Sequence, residues 1–133
     1  MKKGYTTVEQ SKRLIELGIN PNTADFVTIW YRSREGGKYI TMPKETLDAI
    51  RTPFTDIIEE VATWSLTALL ELMPIVENNT PVLHQNLDKR YYYHISEDFG
   101  SIRWETKIYD TPIDAAVEVI GWAIGQGCIK TNK

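Results

Sequence analysis

Arg90-Tyr91-Tyr92-Tyr93-His94-Ile95-Ser96-Glu97-Asp98-Phe99-Gly100-Ser101-Ile102-Arg103-Trp104-Glu105-Thr106-Lys107 reads as a β-hairpin. Side chains alternate between the two faces of a strand. With Glu97–Gly100 as a four-residue loop and Ser96 opposite Ser101, Ile95 faces Ile102, Tyr93 faces Trp104 and Tyr91 faces Thr106. The other face then collects Arg90, Tyr92, His94, Arg103, Glu105 and Lys107. One face is apolar and the other polar, and a one-residue slip destroys the separation.

A second hairpin lies upstream. Phe26 to Arg32 is rich in strand formers, Gly36-Gly37 offers a two-residue turn, and Lys38 to Met42 returns. Pairing Glu35 with Lys38 sets Tyr31 opposite Met42 and Ser33 opposite Ile40. Val27, Ile29 and Tyr31 then share a face with Ile40 and Met42, and Phe26, Thr28, Trp30 and Arg32 share the other. Both faces are too apolar for one to lie in water. Buried aromatics mostly belong to cores, so the expected cover for Trp30 is another part of this chain.

Three helices carry their own start and stop signals. The first begins at Thr7, whose hydroxyl and Gln10 fit a capping box, runs through Val8, Leu14, Ile15 and Leu17, and ends at Gly18. The second begins at Ser65, with Trp64 placed to staple onto Leu69, and stops at Pro74. The third has Thr111 as cap, Pro112 in its first turn and a stripe of Ile113, Ala116, Val117, Ile120 and Ile124, closed by Gly127. Gly121 and Gly125 interrupt it and allow close approach to a sheet. Residues 44–51 suggest a short helix. Asp56 to Ala62 reads as strand or helix, with the spacing of Ile57, Ile58 and Val61 favouring helix, and residues 75–88 read as an exposed loop. The expected architecture is one α+β domain over residues 1–133. An antiparallel sheet of two hairpins packs on about three helices.

Composition bounds the function without naming it. The chain has 133 residues, is 42% apolar and 25% charged, and carries a net charge of −3. A general nucleic-acid binder would carry a basic excess, so nucleic acid is a disfavoured partner. The single cysteine, Cys128, has no internal disulfide partner, which points to a reducing, cytoplasmic setting. No 18-residue apolar run spans a membrane, and Met1-Lys2-Lys3-Gly4-Tyr5-Thr6 leads into no apolar segment of a secretory signal.

No motif specifies a chemistry. His84 and His94 are ten residues apart on no common helix, and no HExxH, CxxC or EF-hand pattern is present. No metal, cofactor or catalytic residue is therefore expected. Cys128 reads as a small hydrophobe. Glu59-Glu60, Glu97-Asp98 and the Asp114/Glu118 pair read as solvated charge. The basic and aromatic run Lys89 to His94 resembles a strand that tracks phosphates and stacks bases, but Glu105 interrupts its polar face. The candidate interaction face comprises Phe26, Trp30, Arg90, Tyr92, His94 and Arg103. The leading expectation is a non-catalytic module that binds protein, itself or another. A small hydrolase or transferase and a single-strand binder are the alternatives.

Three segments together carry a resemblance: Tyr5-Thr6-Thr7-Val8-Glu9-Gln10-Ser11 running to Asp25, Trp64-Ser65-Leu66-Thr67-Ala68-Leu69-Leu70-Glu71-Leu72-Met73-Pro74, and Thr111-Pro112-Ile113-Asp114-Ala115-Ala116 running to Trp122. They cover about a third of the chain and consist of helix caps and core stripes. The chain resembles a family of small proteins from gut bacteria, their prophages and mobile elements. That resemblance implies an accessory protein and brings no activity, cofactor or site residue with it.

Overall fold

The computed structural model describes residues 4–33, 36–50, 57–73, 81–96 and 102–129. In chain order they form α1 (Val8–Glu16), a 3-10 turn (Pro21–Thr23), β1 (Phe26–Ser33), β2 (Gly36–Pro43), α2 (Lys44–Ile50), β3 (Ile57–Thr63), α3 (Leu66–Glu71), β4 (Val82–Gln85), β5 (Tyr91–Ser96), β6 (Ile102–Glu105) and α4 (Pro112–Gly125). The class is α+β. The strands make two antiparallel three-stranded sheets, ordered β2-β1-β3 and β4-β5-β6. The two hairpins thus stand in separate sheets rather than in one, and each gains a third strand.

The helix ends follow the sequence signals. Thr7 Oγ1 accepts from the Gln10 backbone N–H at 3.1 Å, and the Gln10 side chain accepts from the Thr7 N–H at 3.0 Å. Gly18 is left-handed with φ 102°, and the Ile19 N–H reaches back to the Leu14 carbonyl at 3.0 Å. That is the Schellman closure that glycine permits. Ser65 Oγ accepts from the Ala68 N–H at 3.2 Å, and Thr111 Oγ1 from the Asp114 N–H at 3.1 Å. Gly127 repeats the Schellman pattern, with the Cys128 N–H on the Ala123 carbonyl at 2.8 Å.

Strand pairing departs from the sequence reading by four residues in the first hairpin and, between the irregular ends of the second, by two. In the first hairpin Ile29 pairs with Ile40 and Val27 with Met42, so Tyr31 meets Lys38 instead of Met42. Gly36 and Gly37 belong to β2 rather than to a turn. The reason is visible at Gly37. A Cβ built there would sit 2.0 Å from the Trp30 ring, so the indole occupies the space a side chain would need. In the second hairpin Ile95 pairs with Trp104 and His94 with Glu105, with a register shift before Ser96, which meets Ile102. The strand then continues with the Tyr93 carbonyl accepting the Thr106 N–H at 2.9 Å. Tyr91 bridges Tyr109 rather than Thr106. A slip by two or four residues preserves which side chains share a face, so Val27 and Ile29 in the first hairpin and Tyr93, Ile95 and Trp104 in the second keep the inner side as read.

Two segments change type. Residues 57–63 form a strand, not a helix. Ile57, Ile58, Val61 and Thr63 are β-branched and fit a pleated surface. The free edge of β1 takes them up, and a hydroxyl row closes across the sheet: Thr28 Oγ1 lies 2.8 Å from that of Thr41 and 2.7 Å from that of Thr63. Residues 82–85, read as loop, pair with β5.

Both faces of the first sheet are covered from within the chain. Leu47 of α2 packs with Val27, Ile29 and Met42. On the opposite face, Lys12 of α1 pairs with Glu59 at 3.1 Å, and Phe26 stacks on Tyr5 with ring centres 5.9 Å apart. The larger core joins α1, α3, α4 and β5 through Leu14, Trp64, Leu69, Tyr93, Ile113, Val119 and Ile120. Ala115, Ala116 and Ala123, all buried, give α4 its close approach. Gly121 instead faces Leu17 of α1, and Gly125 is exposed.

The Gly37 contact yields a direct expectation. Gly37→Val should lower stability by about 1–3 kcal/mol through the forced displacement of Trp30, although valine is the better strand former. Denaturant midpoints of Gly37→Val, Trp30→Ala and the double variant test this. Additive losses would show that the two side chains do not compete for space.

Candidate functional site

The outer face of the second sheet gathers the most chemistry. Tyr91, Tyr93 and Ile95 alternate toward the inside, and Arg90, Tyr92 and His94 therefore point outward. Pairing fixes their neighbours: Val82 stands opposite His94 and His84 opposite Tyr92 on β4, and Glu105 opposite His94 on β6. Between the Thr106–Tyr93 hydrogen bond and the Tyr91–Tyr109 bridge, Lys107 and Ile108 together stand opposite Tyr92. Val82 and Ile108 are nearly half exposed.

At the centre, the His84 ring stacks on Tyr92 with centroids 4.9 Å apart and planes 15° apart. His84 Nε2 and His94 Nδ1 are in hydrogen-bond contact. Their ring centroids are 4.4 Å apart with planes 20° apart. The two rings are therefore offset and stacked, with these two nitrogens at their point of closest approach. Desolvation lowers the His94 pKa below the ordinary imidazole value. The neighbouring His84 charge adds to the lowering, and Glu105 partly opposes it.

The turn joining β4 to β5 is built rigidly from polar contacts. Asn86 Oδ1 accepts from the N–H groups of Asp88 and Arg90, each at 3.0 Å, and Lys89 adopts φ 58°. Asparagine favours such turns because its side chain mimics a backbone carbonyl. The Arg90 guanidinium is held by Asp110 at 3.1 Å and the Ile108 carbonyl at 3.3 Å. At the tip Leu87 is fully exposed.

The expected face is thereby divided. Arg90, Tyr92 and His94 come together with Val82, His84, Leu87 and Ile108. Phe26 and Trp30 lie on the other sheet, both half-buried, with Trp30 against Tyr39 at a centroid distance of 4.5 Å. The Arg103 side chain lies outside the described residues. Sequence reading missed His84 because it took residues 75–88 for a loop. The signal was Val82-Leu83-His84-Gln85 followed by the turn-forming Asn86.

A second concavity, a cleft of about 250 Å³, lies between the 3-10 turn, α2 and β3, lined by Val27, Leu47, Ala62, Lys44, Asp48 and Glu60. The Lys44 ammonium donates to the Pro21 carbonyl at 3.1 Å. Catalytic carboxylates draw distinct roles from unequal burial. Asp48 and Glu60 are both exposed. The Cys128 thiol faces the Gln126 carbonyl at 4.0 Å, while His94 is engaged by His84. Among the described residues no three His, Cys, Asp or Glu side chains cluster around a point that would hold a metal ion. No described helix is long and apolar enough to cross a membrane. No family model, no curated protein and no solved structure matches this chain.

Proposed function

We propose that this protein is a non-catalytic interaction module that binds a protein partner through the outer face of its second sheet. The observation that carries the reading is the fully exposed Leu87 on a turn locked by Asn86 and Arg90, at one end of a sheet face that also carries the nearly half-exposed Val82 and the partly exposed Tyr92. A rigid tip gives up little conformational entropy on binding, and a leucine there gains by leaving water. Aromatic and arginine side chains are enriched at such contacts. The resemblance to mobile-element proteins of gut bacteria and the single thiol fit an accessory role in the cytoplasm. Against a single-strand binder stands the pairing of Arg90 with Asp110 and the nearby Glu105.

The cleft containing Lys44, Asp48 and Glu60 supports the enzyme alternative, but its charged groups are solvated rather than buried.

Leu87→Asp should abolish association while shifting the unfolding midpoint by less than about 0.5 kcal/mol, since the side chain touches no core. The test compares sedimentation and partner capture by the wild-type and variant chains. Association that survives both Leu87→Asp and Tyr92→Ala removes this face from the reading.

A further inference from the structure

The paired histidines support an inference about a ligand, independent of the interaction reading. We infer that His84 and His94 form a two-imidazole chelate for a divalent transition metal of borderline softness, with zinc the reference case. The site consists of His84 Nε2 from β4 and His94 Nδ1 from β5. Both side chains are partly exposed at the outer face, so a hydrated ion reaches them without opening the core.

The geometry fits a metal. The nitrogens belong to neighbouring strands of one sheet, and the backbone ladder holds their separation. The two nitrogens already lie in hydrogen-bond contact with each other. A tetrahedral zinc with bonds of about 2.0–2.1 Å needs its two nitrogens only about 3.3 Å apart, which side-chain rotation reaches with no backbone change. The stack of His84 on Tyr92 fixes one ring's orientation, as outer contacts do for metal-bound imidazoles generally. Binding replaces one shared N–H···N bond with two N–metal bonds, and the rings keep or move their protons to the opposite nitrogens. No third protein ligand is present among the described residues, so water fills the outward positions.

The test is calorimetric titration of zinc chloride into the metal-free full-length chain, on a Cys128→Ser background that removes the one thiol. Expected is one zinc per chain with an affinity of roughly 10 µM or tighter, with calcium and magnesium inert at a carboxylate-poor site. His84→Asn and His94→Asn should each weaken binding at least about tenfold, and the double variant should lose little more, because either change alone breaks the chelate. Imidazole nitrogen resonances of both residues should shift together on titration. Leu87→Asp should leave zinc binding intact, which separates this site from the proposed protein contact. Far-UV circular dichroism of each variant should match that of the parent. Zinc binding weaker than about millimolar, binding untouched by either histidine change, or binding lost only with Cys128 would each overturn the assignment.

Discussion

Trp64→Ala is expected to cost about 4–5 kcal/mol, the largest single loss in the molecule, and to leave much of the chain unfolded at 37 °C. Trp64 is fully buried and joins the core that α1, α3 and α4 share. Its position also pins the chain on both sides. The Thr6 N–H donates to the Trp64 carbonyl at 2.8 Å, and the Trp64 N–H donates to Thr6 Oγ1 at 3.1 Å. The indole N–H donates to Thr23 Oγ1 at 3.0 Å. Removing the ring leaves a large cavity among α1, α3 and α4, the mechanism that gives large losses in cores, while Thr23 Oγ1 keeps its bond to the Asn20 carbonyl at 2.7 Å. Trp104→Ala should cost less, because Trp104 is only half-buried and stacks at 4.5 Å on Trp122. Trp104→Ala should still exceed Glu105→Ala, since Glu105 is exposed on the opposite face. Urea unfolding followed by near-ultraviolet circular dichroism measures all three. A loss below about 1.5 kcal/mol for Trp64→Ala would mean that this residue does not join the layers.

Tyr93 should separate packing from hydrogen bonding. Its ring is 1% exposed, and its hydroxyl is buried without a hydrogen-bond partner in the structure. Tyr93→Ala should therefore cost about 3–5 kcal/mol, as the loss of a large core ring does. Tyr93→Phe should be neutral or stabilising by up to about 1 kcal/mol, because it removes a polar atom whose burial is uncompensated. The same burial pushes the Tyr93 pKa up to about 12. A raised pKa stabilises the fold fully below the unfolded value near 10, and that stability is lost as the pH rises through 10 toward 12. Wild type should lose stability across that alkaline window, and Tyr93→Phe should lose measurably less. Phenolate absorbance against pH, with denaturant midpoints at pH 8 and 11, reads both effects. A Tyr93→Phe variant losing more than about 1 kcal/mol would show that the hydroxyl has a partner.

The helices were legible in the sequence because their ends are local. Thr7, Ser65 and Thr111 cap groups three residues away, and Gly18 and Gly127 supply the left-handed backbone that ends a helix. The faces of the strands were also legible, because alternation survives any slip by an even number of residues. Pairing was not. The register of β1 against β2 was decided by the indole of Trp30 lying over Gly37, and that of β5 against β6 by a shift before Ser96. Residues 57–63 have helix-compatible spacing, and it took the open edge of β1 and the Thr28–Thr63 hydroxyl contact to make them a strand. The site followed the same division. Sequence placed Arg90, Tyr92 and His94 on one outward face. Only the pairing of β4 with β5 brought His84 to His94 across ten residues, because strand pairing depends on which edge is free and no residue carries that information alone.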